Sequence, residues 1–182
     1  MALAAPPSRL LTIEDLENLP DDGRRHELLD GILVVTPSPG GPHQVVLAAL
    51  YRALHAAKPP GVAVVMAPLD LVLSPHTVLQ PDVVVVDVAE ALEARLTRPP
   101  LMVVEVLSPS TRTYDRGSKM LAYAAAGIGW YWIVEPAAPV EAWAFRLVDG
   151  RYEQWRHAVG AEPFVVDQPF PASLIPQDLL AL

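Results

Sequence analysis

The stretch Leu101-Met102-Val103-Val104-Glu105-Val106-Leu107 places a single acidic residue inside an otherwise apolar run. A continuous apolar run rich in valine is typical of a central strand whose two faces are both covered. An ionised carboxylate buried there without a partner would cost several kcal/mol, so Glu105 needs a cation, a hydrogen-bond network, a raised pKa or a position at the sheet edge. The run therefore predicts a buried strand that carries either a structural Arg–Glu pair or a functional acid.

A second acidic residue, Asp82, opens the next most apolar run, which follows Gln80-Pro81 and continues through residues 83–86. Proline suits the first position of a strand, because no ladder hydrogen bond is lost there. By itself Asp82 would be read as a turn residue. If the two runs form neighbouring strands, however, Asp82 and Glu105 converge, and paired hard oxygen ligands suit Mg²⁺ or Mn²⁺.

A predicted helix from Asp115 to Ala126 carries the next candidates. Asp115, Lys119 and Tyr123 are spaced four residues apart and therefore share one helix face. That face is either solvated, with a weak Asp115–Lys119 pair, or turned toward the acids. Lysine is scarce in this chain, since Lys58 is the only other one, and its compact charge and tunable pKa suit a catalytic donor.

His43 and Glu27 are weaker candidates. His43 falls in the first turn of a predicted helix, on its apolar face, and is expected to point inward. A histidine in that position is commonly satisfied by a backbone carbonyl. Glu27 lies close to the turn predicted at Asp30-Gly31 and is expected to be a surface or helix-end acid. Neither residue predicts a function by itself.

Composition limits the class of protein. A chain of 182 residues, 52% hydrophobic and 19% charged, corresponds to one globular domain with a sizeable core. The net charge of −8 gives the whole molecule no attraction for a polyanion, so nucleic-acid binding would need a local patch, a metal or an oligomer. The sequence has no cysteine, which excludes disulfides and cysteine zinc sites and favours a cytoplasmic location. No apolar run approaches the length of a membrane span.

The remaining patterns predict a mixed α/β (α+β) fold in which helices pack against one central sheet. A proline-rich tail from about residue 160 is expected to wrap the surface. The predicted helices lie at 10–16, 42–57 and 115–126, and the predicted strands at 32–36, 62–66, 69–73, 83–86, 101–107, 130–134, 140–147 and 151–155.

Several segments in this order resemble one protein family. They are Glu27-Leu-Leu-Asp-Gly31, Pro42-His43-Gln44, Gln80-Pro81-Asp82, Val104-Glu105-Val-Leu-Ser-Pro-Ser-Thr111, and Asp115-Arg-Gly-Ser-Lys119 with Tyr123 and Gly127. From about Leu11 to Tyr152 the sequence resembles the Uma-type endonucleases of the PD-(D/E)XK, or restriction-endonuclease-like, superfamily. The resemblance implies a single domain over residues 1–182, with a central mixed β-sheet flanked by helices.

The resemblance also implies roles for particular residues. Asp82 matches the aspartate of the superfamily motif and Glu105 its second acid, and these would bind Mg²⁺ or Mn²⁺ together with the Val106 carbonyl. The superfamily lysine two residues after the second acid is replaced here by Leu107, which implies that Lys119 takes its place. Glu27 resembles an additional acid that could complete the metal shell. His43 matches a recurring histidine, and Tyr123 is a further site candidate.

The expected function is Mg²⁺-dependent endonucleolytic hydrolysis of DNA, with Asp82, Glu105 and Lys119 catalytic. One alternative is a catalytically silent nuclease-fold protein that binds or assembles, which the acidic charge and Leu107 favour. Another is a carboxylate metalloenzyme acting on a small phosphoester. Four tryptophans and a hairpin at Asp149-Gly150 predict a homodimer or higher homo-oligomer. The protein is expected to be cytoplasmic, without a membrane partner.

Overall fold

Two β-sheets and one long helix form the frame of the computed structural model, which describes residues 2–3 and 9–181. The strands are β1 (Ala2–Leu3), β2 (Arg25–Leu29), β3 (Ile32–Thr36), β4 (Val62–Met66), β5 (Leu71–Ser74), β6 (Thr77–Leu79), β7 (Val83–Asp87), β8 (Met102–Val106), β9 (Trp130–Glu135), β10 (Glu141–Val148), β11 (Arg151–Val159), β12 (Phe164–Val166) and β13 (Ala172–Leu174). The helices are α1 (Ile13–Glu17), α2 (Gly41–Ala57), α3 (Arg112–Tyr114) and α4 (Met120–Ala125), with a π-helical turn at Asp115–Lys119 and 3₁₀ turns at Glu90–Leu92 and Pro176–Leu180.

The larger sheet is mixed and has the strand order β11-β10-β9-β8-β7-β4. Strands β8 and β9 are parallel, and the other neighbours are antiparallel. The most apolar runs of the sequence, β7 and β8, lie side by side in it, as their composition predicts. The connection between the two parallel strands is the helical segment that carries Lys119, which places this segment over the sheet.

Both faces of the larger sheet are covered. On one face, α2 packs Leu50 and Leu54 against Val83, Val104 and other buried side chains of the sheet. On the opposite face, Val84 and Val103 pack with Tyr123 of α4. The smaller sheet, with the order β1-β3-β2-β6-β5, contributes Val34, Leu71 and Leu79 to this second cluster. A strand covered on both faces exposes little side-chain surface, and every residue of β8 is buried.

Local capping explains where the first helix begins. The backbone N–H of Thr12 donates to the carboxylate of Asp15 at 2.8 Å, so the helix begins at Ile13 and not at residue 10 as predicted. The helix containing Lys119 starts at Arg112, three residues before the predicted start. Within the described residues, no helix is both long and apolar enough to cross a membrane.

The central mixed sheet is as predicted, and three details differ from the expectations. The described residues also form a five-stranded sheet and the two-stranded sheet β12-β13, which were not expected because β2, β6, β12 and β13 were not predicted as strands. The segment expected at 69–73 is a strand at Leu71–Ser74. The tail does not merely wrap the surface. Its apolar residues enter the core beside α2, where Phe164, Val166, Phe170 and Leu179 are all buried.

Candidate active site

A pocket of about 180 Å³ lies where β7 begins and β8 ends. Its walls are formed by β2, the first turn of α2, the segment from Thr36 to Gly40 and the loop from Ser108 to Thr111. Prolines at 37, 39 and 109 lie in these wall segments and restrict their backbones. The sheet end and its two neighbouring loops therefore enclose a small, stiff-walled space.

Asp82 and Glu105 meet at the floor of this pocket. Strands β7 and β8 are antiparallel with Val83 opposite Val104, so the two acids face each other one residue further along. The Asp82 backbone N–H lies 3.4 Å from Glu105 Oε2, and the Val106 N–H donates to Asp82 Oδ2 at 2.9 Å. Asp82 is 2% exposed and Glu105 is 1% exposed. The structure thus brings together the two acids that the sequence singles out.

Lys119 reaches the same acids from the helical layer. Its Nζ lies 3.0 Å from Glu105 Oε1, 3.0 Å from Glu27 Oε1 and 3.7 Å from Asp115 Oδ1. The lysine lies in the π-helical turn, a rare helical geometry that often occurs at functional sites. Leu107, two residues after Glu105, is buried in the apolar cluster. The ammonium beside Glu105 is therefore supplied by the helical layer and not by the sheet.

Tyr123 binds the same carboxylate oxygen of Glu105 as Lys119 does. Its hydroxyl donates to Glu105 Oε1 at 2.7 Å, so one carboxylate oxygen accepts from both Tyr123 and Lys119. Tyr123 lies one helical turn beyond Lys119, and its side chain is fully buried. The shared helix face expected from the four-residue spacing therefore points at Glu105 rather than at solvent.

The local pattern favoured a surface or helix-end position for Glu27, whereas the family resemblance implied a position at the site, and the structure places it in the pocket lining. It lies in β2 with no exposed surface. Its Oε1 accepts from the Gln80 N–H at 2.7 Å and forms an ion pair with Lys119 Nζ at 3.0 Å. Among the described residues, its Oε2 has no hydrogen-bond partner. A buried carboxylate oxygen without a partner is costly, which points to a ligand that the protein atoms do not supply.

His43 points inward, as its position on α2 predicts. Its partner is a carboxylate rather than the expected backbone carbonyl, since Nε2 lies 3.0 Å from Asp82 Oδ2. Its Nδ1 is buried and has no partner among the described residues. His43 therefore fixes the orientation of Asp82, in the way that partners of a functional carboxylate commonly do.

Arg25 was missed in the sequence. From β2 its guanidinium donates to Asp82 Oδ1 at 3.1 Å and to the Gln80 carbonyl at 3.3 Å. Arg25 and Glu27 are two residues apart on one strand and so lie on the same side of it. Recognising 25–29 as a strand would have placed the two side chains together.

Burial and local charge give the acids different proton affinities. Burial opposes ionisation of Asp82, but the hydrogen bond from His43 and the charge of Arg25 outweigh it and lower the pKa to about 2. Burial raises the pKa of Glu105, and Lys119 only partly offsets this effect. The negative charges of the neighbouring acids raise the pKa further, to about 8. Asp82 is therefore a stable anion at neutral pH, whereas Glu105 takes up a proton readily.

Lys119 keeps its charge in the same surroundings. Burial lowers the pKa of the ammonium, but the charges of Glu105, Glu27 and Asp115 outweigh it and leave the pKa well above its usual value. The site therefore contains a permanently charged donor that is only 2% exposed. Such a donor is already oriented before a ligand arrives.

The chemistry of this cluster fits a divalent cation. Glu27, Asp82, Glu105 and Asp115 provide two more carboxylates than the permanent cations Arg25 and Lys119 can neutralise. Within residues 9–181 no three acidic or histidine side chains form a ready metal-binding group. Magnesium, however, is commonly held by only one or two carboxylates with other oxygen ligands, so this arrangement suits it.

A family model described as "Uma2: Putative restriction endonuclease" matches residues 13–179. Among solved structures, the chain is similar to a crystal structure described as "a putative nuclease belonging to DUF820" from Anabaena variabilis. The TM-score is 0.73 and the identity 18%, over 94% of this chain and 98% of that one. None of the curated proteins matches this chain. The structural likeness confirms the predicted α+β fold with its central mixed sheet.

Proposed function

The chain belongs to the Uma2 family, and from this premise we propose that it is a Mg²⁺- or Mn²⁺-dependent endonuclease that hydrolyses DNA phosphodiester bonds. The observation that carries the proposal is the convergence of Asp82, Glu105 and Lys119 on one pocket. Two buried acids beside a buried ammonium make a site that can bind a cation and stabilise charge on a phosphate.

The residues that would hold the cation are Asp82, Glu105 and the backbone carbonyl of Val106, with Glu27 able to complete the shell. A bound Mg²⁺ supplies Lewis acidity, which lowers the pKa of water and neutralises phosphate charge. The protein fixes the acids beforehand. Asp82 accepts hydrogen bonds from Val106 and Arg25 and faces His43, while Glu105 accepts from Tyr123 and Lys119.

Lys119 has a separate role in this proposal. Its charge is held by three carboxylates, so the ammonium stays at the pocket floor. There it can donate to the attacking water or to a phosphate oxygen that gains negative charge as the bond breaks. Removing one such oriented donor typically costs about 10²–10³ in rate.

A second function has one specific observation in its favour. Asp82 and Glu105 already bind Arg25 and Lys119, so the network is partly satisfied by the protein's own cations. In that case the chain would be a nuclease-fold protein that binds or assembles without cutting, and the buried pairs would be structural. A fold alone does not establish a reaction.

Nicking of supercoiled plasmid by the purified protein separates the two functions. Cutting with Mg²⁺ or Mn²⁺ that stops on addition of EDTA, and that is lost in Glu105→Gln, supports the nuclease. Glu141→Gln is the matched control, because Glu141 carries the same change outside the pocket, where it pairs with His157. No cutting with either ion, by a protein that binds the ion, supports the silent alternative. Cutting of a small phosphodiester but not of DNA supports a carboxylate metalloenzyme that acts on small phosphoesters.

We also propose that the protein acts in the cytoplasm as a homodimer. The cysteine-free composition supports the location. A homodimer is proposed because two-fold dimers are the commonest homo-oligomers and a dimer can present one site to each strand of a duplex.

A further inference from the structure

Arg25 is the cation at the mouth of the pocket. Its side chain is 22% exposed, whereas that of Lys119 is 2% exposed. Both lie in the same acidic cluster, since the charges of Asp82, Glu27 and Glu105 all act on Arg25. A ligand that enters the pocket therefore meets the guanidinium before it can reach the ammonium.

The guanidinium does not use its full donor capacity. It carries five N–H donors in a planar fork, and the described residues accept only two of them, one at Asp82 and one at the Gln80 carbonyl. The contact with Asp82 is to one carboxylate oxygen, at 3.1 Å, and is not the two-bond fork that arginine and carboxylates form when they bind most tightly. Donors remain for an oxyanion in the pocket.

The other cations near the pocket, Lys119 and Arg112, are already paired with carboxylates. Lys119 is enclosed by Glu27, Glu105 and Asp115. Arg112, on the neighbouring wall, forms an ion pair with Glu135 at 2.6 Å. Arg25 is the pocket-lining cation that combines partial exposure with unused donors.

We infer that Arg25 is a phosphate-binding residue whose guanidinium pairs with Asp82 until a substrate enters the pocket. This inference rests on the proposed function and specifies how the phosphodiester is recognised. Arginine is suited to this role, because its planar fork matches two phosphate oxygens and its charge is permanent. When a phosphate enters, the guanidinium donates to its non-bridging oxygens and keeps its place above Asp82.

The inference predicts opposite effects on two ligands. Arg25 and a divalent cation both interact with the negative charge of Asp82, so removing the guanidinium strengthens cation binding. The same change removes the donors that a phosphate needs and weakens phosphate binding. A residue that only braced the pocket would weaken both when removed.

The experiment uses Arg25→Gln and the full chain. Binding of Mn²⁺ alone is measured by calorimetry, and binding of thymidine 5′-monophosphate is then measured with Mn²⁺ present. We expect Arg25→Gln to bind Mn²⁺ more tightly than the parent does, by a factor on the order of three. We expect the nucleotide to bind about tenfold more weakly, the loss typical of one charge-assisted hydrogen bond.

Arg24→Gln is the matched control, because Arg24 is the adjacent arginine, is 59% exposed and pairs with Asp22 outside the pocket. It should match the parent in both measurements. Arg25→Lys keeps the charge but loses the fork, and an affinity for the nucleotide about threefold or more below the parent is expected. This variant decides the test if Arg25→Gln does not fold.

The inference is overturned if the parent does not bind the nucleotide, or if Arg25→Gln binds it within twofold of the parent. It is also overturned if Mn²⁺ and nucleotide affinities fall together. A parent that cuts DNA while Arg25→Gln binds the nucleotide normally contradicts only the role of Arg25. A parent that cuts no DNA but binds the nucleotide through Arg25 contradicts only the nuclease function.

Discussion

The Nζ atom of Lys119 lies 3.0 Å from Oε1 of Glu105, although one side chain comes from a helix and the other from the central sheet. This contact places a charged donor beside Glu105, while Leu107, which follows the same strand, is apolar and buried. The same ammonium also pairs with Glu27 and Asp115, so three buried acids share its charge. The stability of the fold and the chemistry of the site are therefore linked through Lys119.

Lys119→Met should reduce stability as well as activity. The lysine is a buried cation among three carboxylates, so its removal leaves unpaired charge behind. We expect the melting temperature to fall by about 5 °C or more. Scanning calorimetry checks this, and an unchanged melting temperature would show that the acids are neutralised in another way.

Tyr123→Phe should remove one hydrogen bond to Glu105 while keeping the packing of the core. The lost hydroxyl donates to Glu105 at 2.7 Å, so we expect a stability loss of about 1–2 kcal/mol and a cleavage rate several-fold lower. Tyr152→Phe is the control, because its hydroxyl donates at 2.7 Å to the Ile128 carbonyl, outside the pocket. Equal cleavage rates in the two variants would contradict a role for Tyr123 at the site.

The metal-free protein should lose stability as the pH rises toward 8. The pKa of Glu105 is raised to about 8 in the folded chain, mainly by burial, against a usual value of 4.5. Its contribution to stability is therefore complete below pH 4.5 and is lost as the pH rises through 8. Thermal unfolding in EDTA between pH 5 and 8.5 should show this decline, and Glu105→Gln should flatten it. An equally steep decline in the variant would contradict the assignment.

Cation binding should release protons over the same pH range. Because Glu105 must give up its proton to bind an ion, we expect Mn²⁺ to bind more tightly at pH 8 than at pH 6. Calorimetry in buffers of different ionisation enthalpy measures the protons released. Mn²⁺ binding without proton release would place the ion away from Glu105.

Glu27→Gln should weaken cation binding by on the order of tenfold, the loss expected for a residue that ligates or orients. The reason is that Glu27 Oε2 is buried without a partner among the described residues and is available to the ion. Glu17→Gln is the control, since Glu17 pairs with Arg95 away from the pocket. Equal Mn²⁺ affinities in both variants would remove Glu27 from the proposed shell.

The proposed homodimer is checked by light scattering after size-exclusion chromatography. At micromolar concentration the mass should be twice the 19.7 kDa of one chain. A mass of one chain at every concentration up to about 100 μM, above the dissociation constant of a stable assembly, would reject the dimer.

The sequence predicted the two acids because each lies in or beside a valine-rich run, and such runs form neighbouring central strands. Lys119 and Tyr123 could be predicted because helical spacing places them on one face. Arg25 was not predicted, and Glu27 was predicted only through the family resemblance, because Arg-His-Glu-Leu-Leu has no strict alternation. Glu27 and Leu28 are both buried although they point to opposite sides of β2. The tail was misjudged because its prolines suggested a surface segment, whereas the alternating Phe164 and Val166 belong to a short hairpin.

The most direct test of the proposed catalytic role of this pocket compares the cleavage rates of Lys119→Met and Lys58→Met on supercoiled plasmid with Mg²⁺ or Mn²⁺. These are the two lysines of the chain, and Lys58 lies at the end of α2, outside the pocket. Both variants are assayed at a temperature where circular dichroism shows them folded. We predict that Lys58→Met cuts at the parent rate and that Lys119→Met cuts about 10²-fold more slowly or not at all. Cleavage by Lys119→Met at the parent rate would contradict the account.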